Sequence, residues 1–391
     1  MRVLFFSNVF PSPFAPTKGV FNATMVRELA RRNEVHVASP VSWLEARRGG
    51  ATRALAPLAG IGVTYLRYFY VPRILLHTSG DFMWWSLRTR LRRLARAVRP
   101  DIVLGYWTHP DGEVALRLAR ELRVPMVLMV GGSDIHTIAG APRRRGRIAA
   151  VLRGVDHVVT MSADLKRRVE ALGVPGDRVS VVYRGVDNAV FSPGDRQSAR
   201  KAAGLPLDRP LLLWVGRMVP VKGLDVLVDA MSRLVVSRPD ALLCLVGDGT
   251  ERADLESRVR AASLERQVRF VGSKPQEELA LWYRAADLTV LPSRAEGTPN
   301  VLLESIACGT RFVASGVGGV PEIADPVLDA LVPAGDPQAL AVAIDRALGH
   351  SRPPAVAGKR DAGAMAAELT ALLERATTAR AAETVVCEAA S

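Results

Sequence analysis

Residues 288–309 read LTVLPSRAEGTPNVLLESIACG. The apolar run at 288–291 predicts a buried strand, and the spacing of VLLESIA at 301–307 predicts a helix. The polar loop between them contains Thr298 and Asn300, and we expect one or the other to cap that helix. The N–H groups of the first helical turn are then free to meet an anion. A strand, a loop and a helix in this order form the repeating unit of a parallel α/β sheet.

The same unit recurs on both sides of this segment. Short apolar runs that end in Gly, Ser or Pro alternate with helical patterns such as 22–32 and 113–122. We therefore predict an α/β protein of two similar halves, which form a cleft where they face each other. The predicted parts are an N-terminal domain at 1–190, a Gly/Pro-bearing polar linker at 191–210, a C-terminal domain at 211–360, and a helix with a tail at 361–391. A return of that helix to the N-terminal domain is left open.

Composition supports a folded protein of this size. The chain has 391 residues, 49% of them hydrophobic, which is enough for a core in each of two domains. Three cysteines, Cys244, Cys308 and Cys387, show no zinc or disulfide spacing. The first apolar run is short and is followed by prolines, so it reads as a strand and not as a signal peptide. We expect a cytoplasmic protein without a membrane span.

The positive charge lies in the first half of the chain. Residues 1–190 contain 29 Lys and Arg against 14 Asp and Glu, a balance of +15, and the remaining residues contain 23 against 25, a balance of −2. Together they give the net charge of +13. This asymmetry predicts an anionic partner for the N-terminal half, although an ordinary solvated surface explains it nearly as well.

Three loops that follow strands carry groups suited to a ligand with both phosphates and hydroxyl groups. Arg217 and Lys222 follow the predicted strand LLLWVG, and two cations in one strand-to-helix loop can neutralise a diphosphate. Glu296 and Glu304 lie before and within the helix at 301–307, where carboxylates can bind the hydroxyl groups of a ligand. Gly19 follows the first strand and permits close approach of the backbone. An exposed Glu or a surface cation is the ordinary alternative for each.

Further candidates follow other strands. His109 lies at the end of the strand DIVLG, and Asp134 and His136 follow the next strand. A single histidine in such a place is more often structural than functional. The loops at 184–187, 247–249 and 271–273 also follow strands, and this topology places binding loops there.

These motifs together resemble glycosyltransferase family 4. The resemblance runs to about residue 340 and is most specific in VGRMVPVKG, GDG, FVGS, WYRAADLTVLPSRAEGTPNVLLESIACG and GVGGVPEIAD, which keep the family's order. It implies a GT-B fold, in which two Rossmann-like domains face each other across a cleft. It also implies a hexosyl transfer from a nucleotide diphosphate sugar, with retention of configuration and no bound metal or other cofactor. The sequence departs from the family at Arg184, where many relatives have Asn, and at Lys18, where a second Gly is common.

The resemblance also assigns roles to individual residues. It implies that Arg217 and Lys222 hold the diphosphate and that Glu304 binds the ribose. Glu296 meets the transferred sugar, assisted by the backbone at Asn300 and Val301. In the implied site Val271 and Gly272 frame the base, Gly19 approaches the diphosphate, and His109 lines the sugar and acceptor side. Of these, His109, Arg217, Lys222 and Glu296 are the predicted catalytic residues.

Residues 82–99 predict a basic amphipathic helix. Six arginines accompany an apolar stripe that includes Leu87 and Leu91, with Trp84 and Trp85 at the start. Together with the arginine run at 143–147, the pattern favours attachment to an anionic membrane at its inner face. Packing of the stripe on the sheet is the alternative.

Transfer to a glycan or lipid-linked acceptor, in the synthesis of cell-surface polysaccharide or glycolipid, is the function that these expectations favour. A sugar-nucleotide epimerase with a similar fold is one alternative. A basic protein that binds nucleic acid or membrane without catalysis is another, but no nucleic-acid module is recognisable and we expect no nucleic-acid partner.

Overall fold

The computed structural model describes residues 1–48, 58–72, 75–136, 142–349 and 360–389. The chain divides into two compact units. The first unit comprises Met1–Arg184 and Ala362–Ser391, and the second comprises Gly185–Asp361. The expected architecture of two α/β domains is therefore confirmed, with the first boundary after Arg184 and not after residue 190.

The first unit is a parallel sheet flanked by helices. Its described strands are β1 Arg2–Phe6, β2 Glu34–Ser42, β3 Gly62–Tyr68, β4 Ile102–Tyr106, β5 Met126–Met129, β6 His157–Thr160 and β7 Val179–Val181. Its helices before the second unit are α1 Val20–Leu29, α2 Trp43–Arg48, α3 Ser79–Val98, α4 Glu113–Leu122, α5 Ser133–His136, α6 Pro142–Gly154 and α7 Ala163–Glu170. The strand order is β3-β2-β1-β4-β5-β6-β7.

The second unit repeats this architecture. Its described strands are β8 Leu211–Arg217, β9 Leu242–Asp248, β10 Val268–Gly272, β11 Leu288–Leu291, β12 Phe312–Ser315 and β13 Ala330–Val332, in the order β10-β9-β8-β11-β12-β13. Its helices are α8 Arg196–Ala202, α9 Leu224–Ser237, α10 Arg252–Ala261, α11 Gln276–Ala285, α12 Asn300–Ala307, α13 Val320–Ile323 and α14 Pro337–Leu348. All recorded pairs in both sheets are parallel.

Helices cover both faces of each sheet, which explains why the central strands are largely apolar. In β1, residues Val3–Phe6 are completely buried, and β4 and β5 are equally enclosed. The sequence therefore shows continuous apolar runs at these strands and not the alternation of a half-exposed sheet.

The last helix, α15 at Ala362–Ala389, belongs to the first unit. Met365, Leu369 and Leu373 lie in the core of that unit. The amide of Asn33, just after α1, donates to Thr370 Oγ at 3.1 Å. The sequence left open whether this helix returns to the N-terminal domain, and the structure shows that it does.

The predicted linker at 191–210 is part of the second unit, so its assignment as a linker is corrected. Phe191 is buried, and α8 begins at an Asp195 cap that accepts from the Ser198 N–H at 2.7 Å. Arg200 of α8 is buried and pairs with Asp287 at 2.6 Å. A few anchors therefore fix a segment whose remaining residues are polar because they face solvent.

The predicted basic amphipathic helix forms α3, and its apolar stripe is used by the core. Leu87 and Leu91 are completely buried in the first unit, whereas Trp85 is 74% exposed. The alternative, packing of the stripe on the sheet, is therefore what the structure shows, and the arginines remain on the outer face. Within the described residues, none of the helices is both long and apolar enough to span a membrane.

Candidate functional site

The second-unit sheet changes winding direction between β8 and β11. Strand β8 pairs with β9 on one side and with β11 on the other. In open parallel sheets, ligands bind beyond the carboxyl ends of the strands at such a switch point. The loops that follow β8 (218–223) and β11 (292–299) leave the sheet at this point. They carry Lys222 and Glu296, so the topology brings the two most specific sequence motifs together.

Arg294 fastens these two loops to each other. Its N–H donates to Val221 O at 2.8 Å, and its guanidinium donates to Pro220 O at 2.8 Å. The same guanidinium forms a two-pronged pair with Asp225, at 2.8 and 2.6 Å. Planar two-pronged pairing fixes orientation as well as distance. Arg294 and Asp225 were not predicted as site residues, since nothing in the sequence links positions 69 apart.

Gly223 allows the close approach of the two loops. Its backbone is left-handed, with a φ of +65°, and a Cβ there would lie 2.1 Å from Pro292 O. Such a contact is impossible for a side chain, so only glycine fits. The last Gly of the VGRMVPVKG motif, Gly223, is therefore required by the packing of one loop on the other.

Lys222 and Glu296 form the centre of the site. Lys222 Nζ donates to Glu296 Oε1 at 2.6 Å, and Ser293 Oγ donates to the same oxygen at 2.6 Å. The Glu296 side chain is 8% exposed and that of Lys222 is 22% exposed. An ammonium group has three donors, so Lys222 can bind Glu296 and still donate to a ligand.

The segment GVGG at 316–319 supports the Glu296 loop from the other side. The backbone at Gly318 is left-handed, and a Cβ there would lie 1.8 Å from Glu296 O. The next residue, Gly319, donates its N–H to Gly297 O at 2.8 Å. The glycines of the later motif thus hold the backbone that carries Glu296.

The start of α12 differs from the predicted cap. Pro299 occupies the N-cap position, Asn300 is the first helical residue, and no side chain caps the helix. The expectation of an Asn300 or Thr298 cap was therefore wrong. In the described part of the chain, the N–H groups of Asn300 and Val301 have no hydrogen-bond partner. Uncapped N–H groups at a helix start are suited to an anion.

Glu304 lies one turn into α12 and is half-buried. Its Oε2 accepts from the Tyr283 hydroxyl at 2.8 Å. Burial raises the pKa of Glu304 to about 7, and the hydrogen bond from Tyr283 opposes this only partly. Tyr283 was not predicted as a site residue, although it stands in the quoted family motif.

Arg217 ends β8 and is exposed. No described residue forms a hydrogen bond or an ion pair with its guanidinium, so all of its donors are available. Two strands away, Gly272 ends β10 in a left-handed conformation, with Val271 half-buried beside it. The structure therefore places Arg217, Val271 and Gly272 at the same edge of the sheet as Lys222 and Glu296.

The first unit has its own switch point, between β1 and β4. Gly19 lies in the loop after β1, with a left-handed backbone whose Cβ would lie 2.3 Å from Val9 O. Asn22, in the first turn of α1, donates to the same oxygen at 2.7 Å. Gly19 is thus required for the fold of this loop, and the structure places it at the expected edge.

Asp111 follows β4 at this switch point and was missed by the sequence reading. It is completely buried and accepts from Asn8 N at 2.8 Å, which joins the loops after β1 and β4. Burial raises its pKa to about 7. Its Oδ1 has no described hydrogen-bond partner. The feature of the sequence that could have identified Asp111 is its position two residues after His109, in a loop that follows a strand.

His109 is buried, at 3% exposure. Its Nδ1 lies 3.2 Å from Glu113 Oε1, and its Nε2 lies 3.0 Å from Leu76 O and 3.1 Å from Ser79 Oγ. Both ring nitrogens therefore have protein partners, and the ring joins the β4 loop to the start of α3. A direct catalytic role stays a prediction.

The remaining first-unit candidates are structural in this conformation. Asp134 is buried and accepts from the N–H groups of Thr108, Gly131 and Gly132. Burial raises its pKa to about 6. His136 Nε2 lies 3.7 Å from Asp164 Oδ2. Arg184 lies over the Phe21 ring at 4.2 Å and donates to the Tyr106 hydroxyl, so its departure from the family pattern has a packing role.

Two family models match this chain. "Glycosyltransferase Family 4" matches residues 19–190, and "Glycosyl transferases group 1" matches residues 195–361. Together they cover both units and most of the chain. The chain belongs to glycosyltransferase family 4, and it is a glycosyltransferase with two Rossmann-like units of the GT-B class.

Individual relatives agree with this assignment. The chain is 29% identical over 365 residues to the putative teichuronic acid biosynthesis glycosyltransferase TuaC of Bacillus subtilis, covering 88% of this chain and 89% of TuaC. It is 42% identical over 146 residues to D-inositol 3-phosphate glycosyltransferase of Streptosporangium roseum, covering 35% of this chain but only 34% of that relative. The structure of Anabaena HepE in complex with UDP-glucose has the same fold, with a TM-score of 0.70 at 17% identity, covering 98% of this chain and 99% of HepE.

Proposed function

We propose that this glycosyltransferase moves a sugar from a nucleotide diphosphate donor to a glycan or lipid-linked acceptor, with retention of anomeric configuration. The observation that carries the proposal is the grouping at the β8–β11 switch point. There Lys222 and Glu296 pair across adjoining loops, and the start of α12 offers the N–H groups of Asn300 and Val301, which have no hydrogen-bond partner among the described residues. Arg217, likewise without a partner in the described part of the chain, ends β8. Cations and free N–H groups are the chemistry that a diphosphate requires.

Charge separation explains why these groups are suited to transfer. Cleavage of the sugar–phosphate bond leaves negative charge on the diphosphate and develops positive charge at the anomeric carbon. Arg217, Lys222 and the start of α12 stabilise the leaving diphosphate. With two cations in these roles, the reaction needs no bound metal and no other cofactor.

Glu296 is proposed to bind the transferred sugar. Because Lys222 and Ser293 already hold Oε1, the carboxylate has a fixed orientation, with further lone pairs for sugar hydroxyls. Glu304 accepts from the ribose hydroxyls, and Val271 with Gly272 frames the base. HepE was solved with UDP-glucose, so a uracil nucleotide is the first donor to try.

The first unit is proposed to serve the acceptor side of the reaction. Gly19 brings its loop to the diphosphate, and His109 acts at the sugar and acceptor side. In a front-face reaction the leaving phosphate oxygen takes the proton of the acceptor hydroxyl, and the new bond forms on the face where the old one breaks. No side-chain base is then required, and retention follows.

The acceptor is proposed to be reached from an anionic membrane at the inner face of the cell envelope, as in cell-surface polysaccharide or glycolipid synthesis. The outer face of α3 presents arginines and the exposed Trp85, and aromatic and basic side chains are favoured at a membrane surface. With the apolar stripe buried, attachment is electrostatic and superficial, so it weakens as salt increases. Flotation with anionic vesicles at low and high salt tests this, and absence of binding at low salt contradicts it.

The donor assignment is tested by thermal stabilisation with a panel of nucleotide sugars. A ligand at about 100 times its dissociation constant stabilises the native state by roughly 2.7 kcal/mol. One donor should stabilise the wild type, and Arg217→Ala with Lys222→Ala should abolish the effect. Arg233→Ala with Arg266→Ala, which removes the same charge from exposed positions of the same unit, should retain it.

Two results contradict the proposal. If no nucleotide sugar stabilises the wild type, the second unit is not a donor site. If the bound donor is converted to a different nucleotide sugar without any acceptor, the enzyme is an epimerase.

A further inference from the structure

A groove of about 620 Å³ lies in the first unit, away from the β1–β4 switch point of that unit. It lies between the end of α6, the first residue of β6 and the returning helix α15. His157 is the first residue of β6, so the groove lies at the amino end of the parallel sheet. The loops with Gly19 and Asp111 lie at the carboxyl end, about 13–17 Å away for strands of four to five residues.

Five guanidinium groups and one carboxylate line this groove. The arginines come from α4, α6, the residue before β7 and α15, and they are Arg120, Arg153, Arg178, Arg375 and Arg380. The carboxylate of Asp156 already accepts from Met126 N at 2.8 Å, and it lies 3.8 Å from Arg380. The lining therefore carries four positive charges that no lining carboxylate balances.

Backbone contacts hold two of the arginines in place. Arg153 donates to Leu172 O at 3.2 Å, and Arg178 donates to the carbonyl groups of Arg153 and Val155. Neutral carbonyls orient these guanidinium groups without cancelling their charge. The guanidinium of Arg120 packs against Gly154, and a Cβ at Gly154 would lie 2.9 Å from Arg120 Nη2. Within the described residues, the side chains of Arg120 and Arg375 form no hydrogen bond or ion pair.

His157 lies in the positive potential of these arginines. Its pKa is lowered first by burial and then by the charges of Arg375 and Arg178, with Lys166 adding to them and Asp177 opposing them. Its Nε2 lies 2.9 Å from Ser180 Oγ, so the ring is held at the groove. A ring next to unbalanced arginines disfavours a further positive charge.

We propose that this groove binds a small ligand with two adjacent anionic groups, of the diphosphate class, at a site separate from the donor site. Guanidinium groups bind phosphate through paired N–H donors, and several that converge on a concave surface discriminate a diphosphate from a single charge. Because α15 forms one wall, occupancy fastens the end of the chain to the first unit.

Inorganic diphosphate is the probe, and the Arg217→Ala, Lys222→Ala protein is the background, so that binding at the proposed donor site does not contribute. The chain has six histidines, which makes the His157 ring resolvable by NMR. In this background we expect diphosphate to raise the pKa of His157 and to bind in calorimetry. Adding Arg120→Ala with Arg375→Ala should weaken binding by about tenfold or more.

The matched control is Arg233→Ala with Arg266→Ala, which should leave diphosphate affinity unchanged. Arg120→Lys with Arg375→Lys should restore part of the affinity, because charge returns without the planar fork. Absence of any change at His157, or equal weakening in the control, overturns the proposal. Binding to anionic vesicles but not to free diphosphate also overturns it, since the source is then a lipid surface.

Discussion

Glu296 and Glu304 lie on either side of the start of α12, and their neighbours give them different properties. One carboxylate oxygen of Glu296 accepts hydrogen bonds from the Lys222 ammonium and the Ser293 hydroxyl, and the ammonium compensates its negative charge. Among the described residues, only the Tyr283 hydroxyl donates to Glu304, and burial raises the pKa of Glu304 to about 7. A carboxyl group with a raised pKa destabilises the folded protein once it ionises. Glu304 therefore lowers the stability of the fold, as expected for a residue with a binding role.

Replacement of Glu304 by Gln should change the pH dependence of stability. Between the ordinary value of 4.5 and about 7, the folded protein holds a proton that the unfolded chain has lost. The free energy of unfolding of the wild type therefore falls as pH rises through this interval. Glu304→Gln removes this contribution, so its stability relative to wild type should increase from about pH 5 to about pH 8, as measured by urea unfolding.

The matched control is Glu265→Gln, an exposed position in the same unit. Its stability relative to wild type should be the same at both pH values. A pH-independent difference for Glu304→Gln would show that Glu304 ionises normally in the folded protein.

At the scale of elements, the site depends on close packing of strand-end loops. Arg294 and Gly223 join the loop after β8 to the loop after β11, and Gly318 supports the second loop from behind. Each loop begins at a rigid buried strand, so the chemistry rests on positions that the sheet fixes.

Gly223→Ala should therefore cost more than backbone strain alone. Gly204 has a similar left-handed φ, +63° against +65°, but open space where a Cβ would stand. Gly204→Ala should cost about 1–2 kcal/mol of stability. Gly223→Ala should cost about 1–3 kcal/mol more, because Pro292 O must move. Thermal and urea unfolding of the pair measure the difference.

Binding of the nucleotide sugar should also distinguish Gly223→Ala from Gly204→Ala. Displacement of Pro292 shifts the loop that carries Glu296, so Gly223→Ala should weaken nucleotide sugar binding, and Gly204→Ala should not. Equal costs and equal binding in the two variants would mean that the contact of the two loops is not needed.

At the scale of the whole molecule, the chain leaves the first unit at Arg184 and returns to it at Ala362. The second unit is therefore an insertion between two parts of the first. Leu369 and Leu373 of α15 are completely buried in the first-unit core. The stability of the first unit thus depends on residues at the end of the chain.

Leu369→Ala should destabilise the first unit by about 2–5 kcal/mol, as expected for a large-to-small change in a core. Hydrogen exchange read by mass spectrometry should show faster exchange in β1 and α1, with the protection of β8 to β12 unchanged. Leu207→Ala, at a leucine that is 44% exposed, should change stability by about 0.5 kcal/mol or less. Faster exchange confined to the second unit would contradict this division.

The sequence by itself determined the fold class, the family and the order of the candidate binding loops. Apolar runs that alternate with helical periodicity specify parallel strands buried on both faces, and α4 lies at 113–122 as predicted. The motif residues Arg217, Lys222, Glu296 and Gly19 all lie at carboxyl edges of strands. These results follow because hydrophobic pattern and loop chemistry are local properties of the chain.

Only the tertiary structure decided which residues meet. The Lys222–Glu296 pair, the Arg294–Asp225 clamp and the buried Asp111 join positions between 69 and 104 residues apart. It also decided that the stripe of α3 serves the core and that residues 191–210 belong to the second unit. An amphipathic pattern requires an apolar partner without specifying which one, and burial and pKa depend on neighbours that no local pattern records.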